Sequence, residues 1–275
     1  MVVGVWIYGG TVALLVAELA AGRARALFSR RELAMYGACI ALNRFVTASA
    51  SAVLIAYALR LAVPFHRGAF AHAPLWLAFP VTLLTAEFCF YWVHRWSHDG
   101  AAKPWLNWLW RLHHTHHSAD YMSVLVTLRQ NIFWNFVVPT PWVLALAVYA
   151  GQEAAATLTI MTIYGWNLIT HSDFRWDDKL RALPVVGRLF WASEHILVSP
   201  GVHHTHHGYG RDGAMYRNYA VTFAFLDWMF GTLHVPQGRP SRYGIPGPRL
   251  GVAEDVLYPL VRSRKTQPLT APIAN

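Results

Sequence analysis

Five stretches of this chain are almost free of charge and long enough to cross a bilayer. Residues 2–17 (VVGVWIYGGTVALLVA) carry no charged side chain. No Lys or Arg precedes them, as a basic signal-peptide start would require, so the reading is a retained helix over 2–20. Residues 33–63 are apolar apart from Arg44 and Arg60. An arginine deep in hydrocarbon is costly, which confines the predicted span to 45–63. Residues 73–93 hold one charge, Glu87, and residues 131–150 and 154–170 hold none. Gly151-Gln152-Glu153 reads as a tight hairpin between the last two stretches. The predicted spans are therefore 2–20, 45–63, 73–93, 131–150 and 154–171, the length that a ~30 Å hydrocarbon core demands.

Charge placement orients them. The first connecting segment holds Arg23, Arg25, Arg30 and Arg31, against Arg60 and Arg67 in the second. The positive-inside rule puts the first segment in the cytoplasm. Counting spans then puts 94–130 and everything after 171 on that side, with His66 and His72 opposite. The fold expected is all-α: an integral membrane bundle of four to five spans, capped in the cytoplasm by helices from 94–130 and 172–235. Residues 252–262 read as a short surface helix and 264–275 as a flexible tail.

Composition agrees. Of 275 residues, 55% are apolar and 13% charged, against about 25% charged in soluble domains. Mean hydropathy is +0.28. Disorder is excluded for most of the length, and an ordinary soluble domain is disfavoured. The net charge of +9 lies in no run of five Lys/Arg, which favours cationic membrane loops over nucleic acid. Arg far outnumbers Lys, a hint of a GC-rich genome and so of a bacterial inner membrane. Cys39 and Cys89 sit inside apolar runs, as small core residues do.

The chemistry lies in the 15 histidines. His94 and His98 form an i, i+4 pair whose rings share one helix face. His113, His116 and His117 share a face at i, i+3, i+4, and His203, His206 and His207 repeat that geometry. His114 and His204 fall off those faces. His171 ends the fifth span, and His195 lies eight residues before the last cluster. A lone histidine is ordinarily an interfacial or core side chain, and His66, His72 and His234 are read so. Eight clustered imidazoles on one membrane side are different, because burial without a metal would strand many polar atoms. Structural zinc usually recruits thiolates, and ferritin-like di-iron bundles use Glu-x-x-His. Neither pattern is present. The set suffices for two metals with open positions, and an all-His pair at a membrane surface suggests iron and O2 chemistry on a lipid. Second-sphere acids would accept the distal ring N–H groups. The candidates are Asp99, Asp120, Asp173, Glu194 and Asp227.

The order HxxxH, HxxHH, HxxHH resembles the fatty acid hydroxylase/sterol desaturase superfamily. Only 14 residues separate His98 from His113, a short gap like that of this superfamily. RLHHTHHS (111–118), ITHSD (169–173), LVSPGVHHTHH (197–207) and RNYAVTFAFLDWMFGTL (217–233) resemble its further motifs. The likeness covers about 75–235. It departs at Ala220, where the family has Gly, and at Leu128-Arg129-Gln130-Asn131, where it has Arg-Phe-His-Pro. The resemblance implies metal ligands at His94, His98, His113, His116, His117, His171, His203, His206 and His207. His195 is a candidate tenth ligand, and His114 and His204 become second-sphere groups. It also implies two iron ions (which zinc can replace on purification), O2 as co-substrate, and a lipid substrate such as a fatty acyl chain or sterol. No haem motif or ferredoxin cysteine pattern occurs in these 275 residues. Electrons would therefore come from an external ferredoxin or cytochrome b5 with its reductase. The expected activity is C–H hydroxylation, and desaturation would use the same ligands. A metal transporter or a non-catalytic lipid-binding relative is the reading of another class. Trp105, Trp108 and Trp110 would wall the site or anchor at the interface.

Overall fold

The protein is described here by a computed structural model over residues 2–262; the tail expected at 264–275 lies outside the described residues. The first helices are α1 (Val2–Ala20), α2 (Arg30–Leu42), α3 (Ala48–Ala62), α4 (Leu75–Asp99), α5 (Asn107–His117), the single turn α6 (Trp134–Val137), α7 (Thr140–Tyr149) and α8 (Glu153–His171). Five short helices follow: α9 (Trp176–Arg181), α10 (Val186–Ser193), α11 (Pro200–His206), α12 (Phe225–Met229) and α13 (Val252–Leu257). Among the described residues the β-structure is one antiparallel pair, β1 (Gly208–Tyr209) with β2 (Arg242–Tyr243), in the register Gly208 to Tyr243.

Among the described residues two helices are long and apolar enough to cross a membrane, Arg30–Ala62 and Leu75–Asp99, while Gly4–Ala20 and Thr140–Tyr149 are apolar but shorter. The first of these is one continuous rod. A π turn over Asn43–Thr47 joins α2 to α3 where the sequence reading starts a span after Arg44. Side chains add bonds around the wide turn. Thr47 Oγ1 donates to Asn43 O at 3.3 Å, and Asn43 Nδ2 donates to Cys39 O at 2.9 Å and across to Gln130 O at 3.1 Å. Arg44 itself stays exposed.

The stretch 131–150 is not one helix. Val138 is extended (φ −62, ψ 131) because the following Pro139 disfavours helical geometry in its predecessor. The turn α6 therefore ends there and α7 restarts at Thr140. Gly151 makes the α7–α8 hairpin at φ +90, and a Cβ there would lie 2.8 Å from Ala71 Cβ. Only glycine fits both the angle and the space. The helix predicted over 252–262 forms as α13, but Glu254 and Asp255 are buried rather than on the surface. They are drawn in by partners on α5: Arg111 donates to Glu254 at 2.7 Å, and His114 Nδ1 contacts Asp255 Oδ1 at 2.7 Å.

Large apolar side chains such as Phe45, Val53, Tyr57, Leu61 and Trp76 remain exposed on the helices, as a lipid-facing surface requires. α4 and α8 both run toward the histidines and pack together. The buried polar residues gather at that end. Glu18, at the end of α1, accepts from Ser123 Oγ at 2.6 Å, Val124 N at 3.1 Å and Asp173 N at 2.9 Å. One carboxylate thus pins α1 to two loops that flank the histidine segments.

Candidate metal centre

Four segments deliver the histidines. The last turns of α4 and α8 carry His94, His98 and His171; α5 carries His113, His116 and His117; α11 and its C-cap carry His203, His206 and His207. Helix α11 is held by its N-terminus. Ser199 caps it, accepting from Val202 N at 3.2 Å and donating to Glu194 Oε1 at 2.5 Å, and Asp177 Oδ2 accepts from Gly201 N at 2.7 Å. An oxygen cap satisfies amide donors that the first turn leaves unpaired. The C-terminus of α5 is held by Arg129, fully buried, which donates to Thr115 O at 3.2 Å and Ser118 Oγ at 2.8 Å and pairs with Glu32 of α2.

All nine imidazoles nominated from the sequence come together, in two groups. His94, His98, His113, His117 and His206 form one, and His116, His171, His203 and His207 the other. Within each, the candidate ligand atoms lie within 4.8 Å of one another. The Nε2 atoms are closer still. His98 to His117 and His117 to His113 are 3.1 Å, and His206 to His94 is 3.0 Å. In the other group His203 to His171 is 3.0 Å, His207 to His203 is 3.1 Å and His171 to His116 is 3.2 Å. A metal–nitrogen distance of about 2.1 Å places neighbouring ligands around a six-coordinate ion about 3.0 Å apart. The observed spacing is that of ligand atoms around a shared centre.

Protonation agrees. His94 Nδ1 faces Tyr219 O at 2.6 Å, His171 Nδ1 faces Asn167 O at 2.9 Å, and His206 Nδ1 faces Arg217 O at 2.7 Å. A carbonyl only accepts, so Nδ1 carries the hydrogen and Nε2 presents its lone pair to the centre. Burial pushes the imidazoles of His113, His117, His203 and His207 well below the ordinary histidine range, with neighbouring imidazoles adding to the effect. His116 is lowered to about 4 and His206 to about 3, again chiefly by burial. Neutral imidazole is the form that binds metal. The Nδ1 atoms of His98, His113, His117 and His203 are buried without a partner among the described residues, a cost that metal binding at Nε2 would offset. The donor set fits two imidazole-ligated metal ions.

The remaining candidates lie elsewhere. His195 belongs to neither group; its Nδ1 meets Trp191 O at 3.0 Å and its ring packs on Trp191 and Trp228. His114 bonds Asp255, and His204 Nε2 donates to Ser172 O at 3.0 Å. None of the five acids expected to accept distal ring N–H groups does so. Backbone carbonyls take that place without the cost of burying a charge: Tyr219 and Arg217 offer theirs from the loop after β1, and Asn167 from one turn before His171 in α8. Asp99 pairs with Lys103, Asp120 with Arg249, Asp173 with Arg23 and Arg239, and Glu194 with Arg181 and Ser199. Asp227 acts one peptide away. Its carboxylate accepts from Tyr219 N and Ala220 N, both at 2.8 Å, and so fixes the peptide whose carbonyl holds His94. Burial pushes that carboxyl up to about 6.

Trp110 is buried with its ring 5.3 Å from His98, whereas Trp105 and Trp108 are exposed. Sequence reasoning missed Trp134, whose ring lies 4.7 Å from His113, and the positioning groups Glu18, Glu32, Arg129 and Asp255. The acids and Arg129 carried a legible signal: charged residues within or beside otherwise apolar runs. Beside the histidines a cavity of about 1050 Å³ opens among α1, α3, α4, α7 and α8. Its lining is mostly apolar and includes Phe90, Trp134 and Asn167, which touch His94, His113 and His171.

A family model described as fatty acid hydroxylase matches residues 79–232, more than half of the chain. Alkylglycerol monooxygenase of Xenopus tropicalis is 29% identical over 173 residues, covering 61% of this chain and 33% of that protein. The Danio rerio protein of the same name is 28% identical over 193 residues, covering 69% and 37%. A very-long-chain aldehyde decarbonylase of Oryza sativa subsp. japonica is 24% identical over 154 residues, covering 53% and 21%. The alignment thus spans about a third or less of these curated relatives. No solved structure matches.

Proposed function

The chain belongs to the fatty acid hydroxylase family, and from that premise we propose that it is a membrane-bound, O2-dependent di-iron oxidoreductase that hydroxylates a C–H bond of a lipid. The observation that carries the reading is the convergence of nine Nε2 donors into two groups beside one long apolar cavity. Iron in both groups would supply O2 activation and oxidation of an unactivated C–H bond. His94, His98, His113, His117 and His206 would hold one ion, and His116, His171, His203 and His207 the other. The carbonyls of Tyr219, Asn167 and Arg217 keep three of these rings oriented. Trp110, Trp134 and Phe90 exclude water from the cluster, which protects a reactive centre. The cavity positions an alkyl chain against it. Reaching such a centre from the bilayer requires a lipid, and the homologous monooxygenases support this substrate class.

The reading extends to membrane arrangement. The histidine end faces the cytoplasm of a bacterial inner membrane, with α1, α3, α4, the broken α6–α7 segment and α8 within the bilayer. The arginines between α1 and α2 support that orientation. A separate ferredoxin or cytochrome b5 with its reductase delivers electrons there.

The test is metal analysis of the detergent-purified protein beside a His206→Ala/His207→Ala variant, which removes one imidazole from each group. We expect about two irons per wild-type chain and their loss in the variant. Zinc in place of iron calls for anaerobic iron reconstitution. No bound metal after reconstitution would sink the proposal. Turnover under isotopically labelled O2 then separates the chemistries: hydroxylation puts labelled oxygen into the lipid, desaturation does not.

A further inference from the structure

The cavity has two unlike ends. Along α3 it is lined by Ala48, Ser51, Ala52, Ile55, Leu59 and Arg60, one stripe of the helix. At about 1.5 Å per residue the stripe is about 18 Å long, the reach of an extended alkyl chain of about a dozen carbons or slightly more. The Ala48 end lies level with the histidines: Asn135 Nδ2 reaches Thr47 there at 3.4 Å, and Trp134 touches His113. The lining here includes the carboxyl group of Glu87, which accepts from Thr222 N at 3.0 Å and Thr222 Oγ1 at 2.8 Å. The other end holds Arg60, in the last turn of α3, and Arg67, in the following turn. That turn is fastened to the α7–α8 hairpin by Gly68 N to Tyr149 O at 2.9 Å and Phe70 N to Ala150 O at 3.0 Å, so Arg67 projects from a fixed backbone. Both residues are exposed, and neither guanidinium has a hydrogen-bond or ion-pair partner among the described residues.

We propose that Arg60 and Arg67 hold the anionic head, carboxylate or phosphate, of a single-chain lipid at the cavity end opposite the imidazoles, so that the chain enters the metal centre tail-first. The inference rests on the cavity being the substrate site. Guanidinium forks suit carboxylate and phosphate oxygens, and Arg60 and Arg67 are the only cationic side chains of the described cavity lining. Oxidation then falls on the methyl-terminal half of the chain, because the head is held about 18 Å away.

The test is binding of hexadecanoate, hexadecyl phosphate and hexadecanol to the full chain in phosphatidylcholine nanodiscs, read by titration calorimetry, which needs no turnover. The wild type should bind at least one of the two anions about tenfold more tightly than the alcohol, and the tighter anion identifies the head. Arg60→Gln/Arg67→Gln should erase that preference while still binding the alcohol, and Arg60→Lys/Arg67→Lys should keep most of it. Equal binding of acids and alcohol by the wild type would overturn the proposal, as it would if these arginines serve only bilayer phosphates. So would a preference that survives in the Gln variant. Both of those results leave the cavity standing as the lipid site. Binding of none of the three probes removes the cavity reading and this proposal together.

Discussion

At the scale of single residues, the two histidine groups give separable outcomes. His98→Ala should lower iron from about two per chain to about one, and His203→Ala should do the same at the other group. His195→Ala, whose ring packs only on Trp191 and Trp228 among the aromatic groups, should keep both. Metal analysis of the three variants decides it, and iron loss in the His195 variant would restore that residue as a ligand. The metal-free protein should also be acid-labile. Burial holds folded His116 at about 4 and His206 at about 3, whereas an unfolded imidazole titrates near 6.5. The unfolded state therefore takes up more protons as pH falls below about 6.5. Each such imidazole then costs about 1.4 kcal/mol of stability per pH unit until its folded value is reached. A melting temperature of metal-free protein that stays level from about pH 7 to about pH 5 would contradict this.

At the scale of elements, short helices are useful here only because side chains hold their ends. Helix α11 spans seven residues, too few to be stable alone, and depends on Ser199, Glu194 and Asp177. Ser199→Ala should cost about 1 kcal/mol and weaken iron retention at both groups, since His203 and His206 ride on that helix. Thermal unfolding and metal titration of the variant measure the two effects. Arg129 is the larger anchor. Arg129→Met would leave Glu32 buried without its cation, at about 3–5 kcal/mol; paired removal with Glu32→Gln should recover part of that loss. A double-mutant cycle with no coupling would show that the pair does not fasten α5 to α2. The π turn at Asn43–Thr47 and the break at Pro139 lie beside the same cavity end, where Asn43, Thr47 and Asn135 bond to one another.

At the scale of the molecule, parallel packing of α4 and α8 brings their C-terminal ends together and with them His94, His98 and His171. The proposed sidedness rests on the charge pattern and is open to measurement. Single cysteines introduced at exposed Arg211 and Arg67, in a background lacking Cys39 and Cys89, should react with an impermeant maleimide from opposite faces of intact inner-membrane vesicles. Labelling of both from one face would reverse the proposed topology.

The sequence by itself determined the helical class, the apolar stretches and the shared histidine faces, because the 3.6-residue period puts i, i+3 and i+4 imidazoles on one face whatever surrounds them. It also supplied a legible fault at Val138, since Pro139 constrains its neighbour locally, although the hydropathy of 131–150 conceals it. What it did not determine was which residues complete each centre. The division of nine histidines into groups of five and four depends on how α5 and α11 meet α4 and α8. The Asn167 carbonyl is local, one turn before His171 in α8, but the exchange of the expected acids for the carbonyls of Tyr219 and Arg217 has the same origin. A carbonyl has no side-chain signature, and only the loop path decides where it points. Glu254 and Asp255 read as surface charge because their helix is short and the two acids are adjacent; packing buried them by supplying Arg111 and His114 as partners. Composition and local period reside in the chain. The pairing of distant polar groups is set by tertiary packing, which alone determines which charges can be neutralised out of water.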